Sequence, residues 1–387
     1  MSPNEQIRVL EINDIDQLAG YRLLWNALLG QTRDATFFHS FDWLETYWRH
    51  FGHDQKLRVL IVLEDDKPIG ILPLVVRTES TRVGPVRVLT YPLHDWGTFY
   101  GPIGPNPTAT LKAGLDYVDQ TERDWDLVDI RWVDADNRDR QRTPTAMRAA
   151  GFSPRQQPWA QTAIVDTCGT WEEYWSSRTK KWRHNVNRCR RRLAERGKIT
   201  YIRYRPEGSA QGDGDPRWDL FEACVEISER SWQSASESGT TLCHESVREY
   251  LRDAHAAAAK NGTLDLNLLL IDGKPVAFVY NYHYQGRVYG LRMGFDPDLT
   301  AVGPGTVLHQ MMLEDGFRRQ DEYYDLGVGS LHCKRHWLTR LVKSYRYTHF
   351  PNTVMRAWAL RLKRIYVQWR HGADCVATSV NSSRTAA

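Results

Sequence analysis

The sequence predicts an α/β protein built from two successive domains, each a mixed central sheet flanked by helices. Three observations carry this expectation. The chain has 387 residues, more than one hydrophobic core of ordinary size organises. Strand-like and helix-like patterns alternate along it. An apolar–turn–apolar unit also occurs twice, as LEDDKPIG (Leu63 to Gly70) and LIDGKPVA (Leu270 to Ala277), with Lys67 and Lys274 standing 207 residues apart. The expected boundaries are 1–160 for the first domain and 161–352 for the second. A basic amphipathic helix over 353–371 and a disordered tail over 372–387 follow.

In the first half, IRVLEI (Ile7 to Ile12) reads as a strand. Phe41, Leu44, Trp48 and Phe51 recur at helical spacing behind Ser40, a good N-cap residue. LRVLIVLEDDKPIGILPLVVR reads as a hairpin around Asp65-Asp66, and WDLVDIRWV as a buried strand. In the second half, Thr170 and Glu173 have the spacing of a capping box, and ITYIRY is a strand. The loop Pro206 to Pro216 leads toward the second hairpin, and RVYGLRM is the strand behind that hairpin. A helix from Thr306 buries Leu308, Met311 and Met312. YYDLGV and SYRYTHF are the closing strands.

Composition excludes several classes. A net charge of +4, from 51 Lys and Arg against 47 Asp and Glu, makes no case for nucleic-acid binding. The six cysteines are scattered without zinc-ligand spacing, so no metal is expected and a reducing compartment fits. The first residues lack the apolar stretch of a signal peptide, and no run approaches the ~20 apolar residues of a membrane span. The expectation is a cytoplasmic protein. Val354, Trp358, Leu362, Ile365 and Trp369 form an apolar stripe beside Arg356, Arg361, Lys363 and Arg364. Such a helix packs on its own domain or lies peripherally on an anionic membrane surface such as an inner membrane.

Two features point to chemistry. In FDPDLTAVGPGTVLHQMM (Phe295 to Met312) a strand runs through a Gly/Pro turn directly into a helix. Glycines let a ligand approach the backbone closely, and a helix start attracts an anion. Gly303, Gly305, Thr306 and Val307 would face a phosphate there. The second feature is a basic helix, with ten Lys or Arg between Arg178 and Lys198 against the single acid Glu195. Like charges so crowded repel one another, and a counter-anion relieves the repulsion; Arg190 and Arg191 are its candidates for substrate contact.

This strand–turn–helix order resembles the pyrophosphate-binding motif of GNAT acyltransferases, so the fold class becomes a tandem of GNAT-like domains. The second half resembles the CelD/BcsL-type acetyltransferases associated with cellulose and exopolysaccharide loci. Four segments carry that likeness: SRTKKWRHNVNRCRRRL, SWQSASESGTTL, MGFDPDLTAVGPGTVL and YYDLGVGSLHCKRHW, and the opening HSFDWLETYWRHFG resembles the start of that family. The architecture is also similar to the Fem-type peptidyltransferases, which use aminoacyl-tRNA. Two departures stand out. Ala301-Val302 replaces the basic or glutamine residue of simple GNAT motifs, and Gln233 stands where lysine follows the family tryptophan.

The resemblance implies acetyl-CoA or another acyl-CoA as co-substrate, without a metal, its pyrophosphate on Gly303, Gly305, Thr306 and Val307. It implies Asp325 and Lys334 as catalytic residues, with Trp232 and Trp337 as an aromatic wall for the acceptor. His283, His332 and His336 are further candidate bases. The acceptor would be a small molecule or polysaccharide precursor, acylated on nitrogen or oxygen. A Fem-like reading replaces acyl-CoA by aminoacyl-tRNA, and a third keeps the fold as a non-catalytic binding protein. The first half, with GPIGPNP (Gly101 to Pro107), is expected to be structural, its donor site degenerate.

Overall fold

The computed structural model describes residues 6–93, 95–237 and 239–371; the tail expected over 372–387 lies outside them. The chain divides into two compact units, 1–161 with 343–387, and 162–342.

The first unit opens with β1 (Ile7–Ile12), α1 (Ile15–Ala19), α2 (Arg22–Gly30) and α3 (Phe41–Phe51). Ser40 Oγ accepts from Trp43 N–H at 3.1 Å, starting α3 where the sequence placed its cap. The sheet then forms from β2 (Gln55–Glu64), β3 (Lys67–Thr81) and β4 (Gly84–Thr90). α4 (Pro107–Gln120), β5 (Leu127–Val133) and α5 (Arg142–Ala149) follow, and β6 (Arg155–Asp166) runs on past residue 161.

The second unit has α6 (Trp171–Ser177), α7 (Lys180–Ala194), β7 (Ile199–Tyr204), α8 (Trp218–Arg230) and α9 (Arg248–Lys260). β8 (Leu264–Ile271), β9 (Lys274–Tyr284), β10 (Arg287–Phe295), α10 (Pro304–Arg318), β11 (Tyr323–Val328) and α11 (Leu331–Lys334) complete it. The capping box that starts α6 is made, Thr170 Oγ1 accepting from Glu173 N–H at 3.2 Å and Glu173 Oε2 from Thr170 N–H at 3.0 Å. β12 (Arg340–His349) and α12 (Met355–His371) then lead back into the first unit.

The sheets share one plan. In the first unit the order is β1-β2-β3-β4-β5-β12, in the second β7-β8-β9-β10-β11-β6. Each has one parallel contact, β4 with β5 and β10 with β11. The repeated hairpins agree residue by residue. Asp65 and Asp66 have φ of 48° and 62°, Asp272 and Gly273 47° and 81°, the left-handed pair of a type I′ turn. Behind each turn the register slips at the same place, after Leu63↔Pro68 and after Leu270↔Pro275. Proline has no N–H to give the ladder, and a bulge beside it absorbs the loss.

One boundary expectation needs correction. SYRYTHF was expected to close the second domain, yet from Lys343 on β12 belongs to the first unit, where Tyr345 pairs Val133 and Tyr347 pairs Ile130. Sheet pairing is set by hydrogen-bond partners, and sequence order does not reveal them. The amphipathic helix is also split in role. Ala357 and Leu360 are buried against Val86, Val88, Leu127 and Phe350, while Trp358, Leu362 and Ile365 of the expected stripe stay substantially exposed.

The second core packs α10 and α7 on one face of the sheet. Val307, Leu308 and Met312 are fully buried beside Val186 and Leu193, with Met311 at the margin. Below it, Arg203 bonds Asp265 at 2.7 Å and Asp315 at 3.0 Å, while Arg205 bonds Asp321 at 2.7 Å. These charges compensate one another and anchor β7 to β8 and to α10.

Candidate active site

The parallel contact between β10 and β11 is short. It runs from Arg287↔Tyr323 to Tyr289↔Asp325 and stops, although β10 continues to Phe295 and β11 to Val328. Two glycines bring the backbones together at this last point. A Cβ on Gly290 would stand 2.8 Å from Asp325 O, and one on Gly327 2.7 Å from Gly290 O. Beyond it β11 bulges against β6, and the strands part. Diverging strands leave part of β10 without a neighbour on one edge, the geometry in which an extended ligand can lie. Gln233 and Thr240 serve part of that stretch. Gln233 Nε2 donates to Met293 O at 3.0 Å, and Arg292 donates to Thr240 O. Gln233 is thus a buried structural residue, its Oε1 accepting from Ser228 Oγ.

Asp325 and Lys334 come together at the parting of the strands. Asp325 is buried, and its Oδ1 accepts from Gly327 N–H at 2.7 Å. Lys334 Nζ donates to Gly327 O and to Val328 O, both at 2.8 Å. Withdrawal from water pulls the Lys334 amine down to about 8, against the opposing pull of the Asp325 carboxylate.

Gly303 caps α10 at φ 66°, and its N–H donates to Leu299 O and Thr300 O at 3.2 Å. Thr306 and Val307 N–H both return to Gly303 O, at 3.1 and 3.3 Å. Pro304 has no N–H, which leaves Gly305 as the amide of this turn not engaged in that way. The glycines are also required by packing. A Cβ on Gly303 would stand 2.9 Å from Cys189 Sγ of α7, and one on Gly305 2.6 Å from Met293 Cε. Val307 is buried in the core, so of the four expected phosphate contacts its side chain is structural. Arg188 and Arg192 lie close enough to Cys189 to lower its thiol against the effect of burial, and so carry charge to the Gly303 turn. Arg190 and Arg191 are exposed, and at 100° per residue Arg191 falls opposite the buried Val186 and Leu193. An anionic donor fits this turn: a helix N-terminus with one engaged glycine cap, one remaining amide and two arginines nearby.

The expected aromatic wall does not form. Trp232 is 69% exposed, whereas Trp337 is 4% exposed in the core. There it stacks on His309 at 5.9 Å and meets Trp182 edge-on at 5.2 Å. Trp337 also fixes α6, its carbonyl accepting from Tyr174 OH at 2.6 Å. Among the candidate bases, His283 sits by Asp321 in the ion network and is pushed down to about 4 by burial. His332 is exposed, and His336 stacks on Trp182 at 4.4 Å. His309 was missed. It lies on α10 between Trp337 and Lys334, hydrogen bonds to the Gly305 backbone, and is held neutral by burial, its pKa lowered to about 4. Its place four residues after Gly305 on the same helix was the available signal. Among the described residues no group of three or more His, Cys, Asp or Glu could hold a metal ion.

Residues 180–335 match the model of the acetyltransferase (GNAT) domain family. The second unit is a GNAT-type acyltransferase domain. No curated protein matches the chain. Among solved structures, FemX aligns with 92% of this chain and 99% of its own at 12% identity and a TM-score of 0.60. A conserved protein of unknown function from Bacteroides thetaiotaomicron aligns over 89% and 100%, at 14% and 0.53. The C-terminal domain of a protein described as a lysylphosphatidylglycerol synthetase, from Agrobacterium fabrum, aligns over 91% and 97%, at 12% and 0.52. At such identities the likeness is one of fold. In the GNAT domain the parted strands β10 and β11, the Gly303 turn and the Asp325–Lys334 pair all lie within the matched residues.

Proposed function

We propose that the GNAT domain transfers an acyl group, acetyl in the first instance, from acyl-CoA to an amino or hydroxyl group of a sugar or cell-envelope precursor, as in exopolysaccharide synthesis. The parting of β10 from β11 beside the Gly303 turn carries this reading. It offers a slot for an extended thioester arm, ending at a helix start suited to pyrophosphate. The Gly305 amide would hold the phosphate, with Arg188 and Arg192 adding charge.

Acyl transfer from a thioester needs alignment, removal of the acceptor proton and stabilisation of a tetrahedral oxyanion. CoA would supply the activated acyl carbon and a leaving thiolate, which takes up the acceptor proton and departs as the free thiol. Lys334, an amine with a pKa near working pH, faces the strand exit and stabilises developing negative charge. Asp325 holds the turn that aims it. Neutral His309 orders the start of α10.

The working place would be cytoplasmic, with α12 touching the inner membrane. No described helix is long and apolar enough to cross one. Exposed Trp358, Leu362 and Ile365 beside Arg361 and Lys363 support surface contact. Co-sedimentation with phosphatidylglycerol vesicles, lost in Trp358→Glu, tests it.

The donor is tested by melting the protein with acetyl-CoA, free CoA and aminoacyl-tRNA. Ligand at a hundred times Kd raises stability by about 2.7 kcal/mol. A shift with acyl-CoA is expected. A shift only with aminoacyl-tRNA would favour the Fem-like reading that the FemX likeness in fold suggests, and no shift with either would leave a binding protein.

A further inference from the structure

The first unit was expected to be structural, yet it encloses a cavity of about 180 Å³. All residues lining it belong to that unit. They include the approach to α4 from Phe99 to Pro105, Pro107 and Leu111 of α4 itself, and Trp132 and Val133 at the end of β5. By the internal repeat this is the counterpart of the Gly303 turn. There, too, the parallel contact is brief, only Val88↔Leu127 and Leu89↔Val128.

The counterpart differs from the Gly303 turn in its lining. Gly104 N–H donates to Thr32 Oγ1 at 2.7 Å, so this amide is taken. Three arginines and three aspartates in the lining offset each other. What the cavity offers instead is aromatic surface and neutral hydrogen-bonding groups. Phe99, Tyr100 and Trp132 form walls, and Phe99 and Trp132 hold left-handed φ of 47° and 61°. Such strain in two bulky residues is characteristic of functional sites. His39 is buried and stacks on Tyr100 at 4.6 Å. Its Nδ1 accepts from Thr36 N–H at 3.2 Å, so the ring proton resides on Nε2. The buried Tyr100 hydroxyl has no hydrogen-bond partner among the described residues. Burial and Arg138 keep the imidazole neutral, its pKa lowered to about 3.

We propose that this cavity binds a single neutral sugar ring, making the first unit a carbohydrate-binding module. Aromatic faces suit the C–H faces of a pyranose, and the unpartnered Tyr100 hydroxyl suits one of its hydroxyl oxygens. The volume lies below the ~300–1,000 Å³ of drug-sized sites, in keeping with one ring. The proposal does not depend on the acyl donor.

The test is calorimetric and ligand-detected NMR titration of the full chain with glucose, galactose and N-acetylglucosamine. At least one should bind at a single site. Gly101 lines the cavity, and a Cβ there meets nothing within 4 Å. Gly101→Trp should therefore abolish binding with an unchanged melting temperature. Tyr100→Phe should weaken it about tenfold, the loss of one hydrogen bond. Gly303→Ala should leave it intact, which separates this site from the donor site. Absence of binding by all three sugars at tens of millimolar, or equal binding by Gly101→Trp, would overturn the proposal. Displacement of the sugar by acetyl-CoA in the Gly303→Ala protein would overturn it as well.

Discussion

Asp325 and Lys334 grip one residue from both sides: the carboxylate accepts the N–H of Gly327 at 2.7 Å, and the ammonium donates to its carbonyl at 2.8 Å. Gly327 has φ 76° and touches Gly290 of β10, so the pair fixes the point at which the two parallel strands part. An acid and a base nine residues apart act here through the backbone between them. In the proposed reaction their roles would divide accordingly, Asp325 as a positioning residue and Lys334 as the group that bears charge into the site.

Asp325→Asn preserves an acceptor for Gly327 N–H and removes the charge that raises Lys334. The inflection in the pH dependence of kcat/KM should move below about 8, with donor affinity retained. Asp325→Ala should also lose the turn and lower thermal stability. Lys334→Ala should reduce kcat by roughly 10²-fold or more with little change in KM, as expected for charge stabilisation in the transition state. Steady-state kinetics on the first acceptor found decides it, and wild-type turnover in Lys334→Ala would remove this lysine from the mechanism.

Stability should rise with pH above 8. The folded state holds Lys334 near 8, while the unfolded chain releases that proton near 10.4. Between these values the unfolded state binds more protons, so the folded state gains as pH increases. Urea unfolding of wild type and Lys334→Met across pH 7.5–10.5 should show a rise in the wild type that the variant lacks.

Gly303→Ala should cost about 1–3 kcal/mol of stability, because alanine is strained at φ 66° and its methyl meets Cys189 Sγ. The steric part should be recovered in Gly303→Ala/Cys189→Ala, while the backbone part remains. Purely additive losses in that double-mutant cycle would show that α7 does not press on the turn.

Acyl-CoA affinity should depend on Arg188 and Arg192 more than on Arg191. Replacing the first two by glutamine should weaken binding at low salt and much less at high salt, where the screening length falls from ~10 Å at 0.1 M to ~3 Å at 1 M. Arg191→Gln should change little. Equal effects would mean that the whole helix, not the side facing Cys189, attracts the donor.

The sequence by itself determined the local features: the caps at Ser40 and Thr170, the strand limits Ile7–Ile12, Ile199–Tyr204 and Tyr323–Val328, and both repeated hairpins. Caps, side-chain periodicity and type I′ turns are written within a few consecutive residues, so composition and spacing suffice to read them. The tertiary structure alone decided which strands pair and which side chains meet. It returned β12 to the first unit, drew Trp337 into the core while leaving Trp232 in solvent, brought His309 beside Lys334, and opened the cavity behind Tyr100 and Trp132. These outcomes depend on hydrogen bonds and burial between residues far apart in the chain, where the free energy of the whole fold outweighs any local preference.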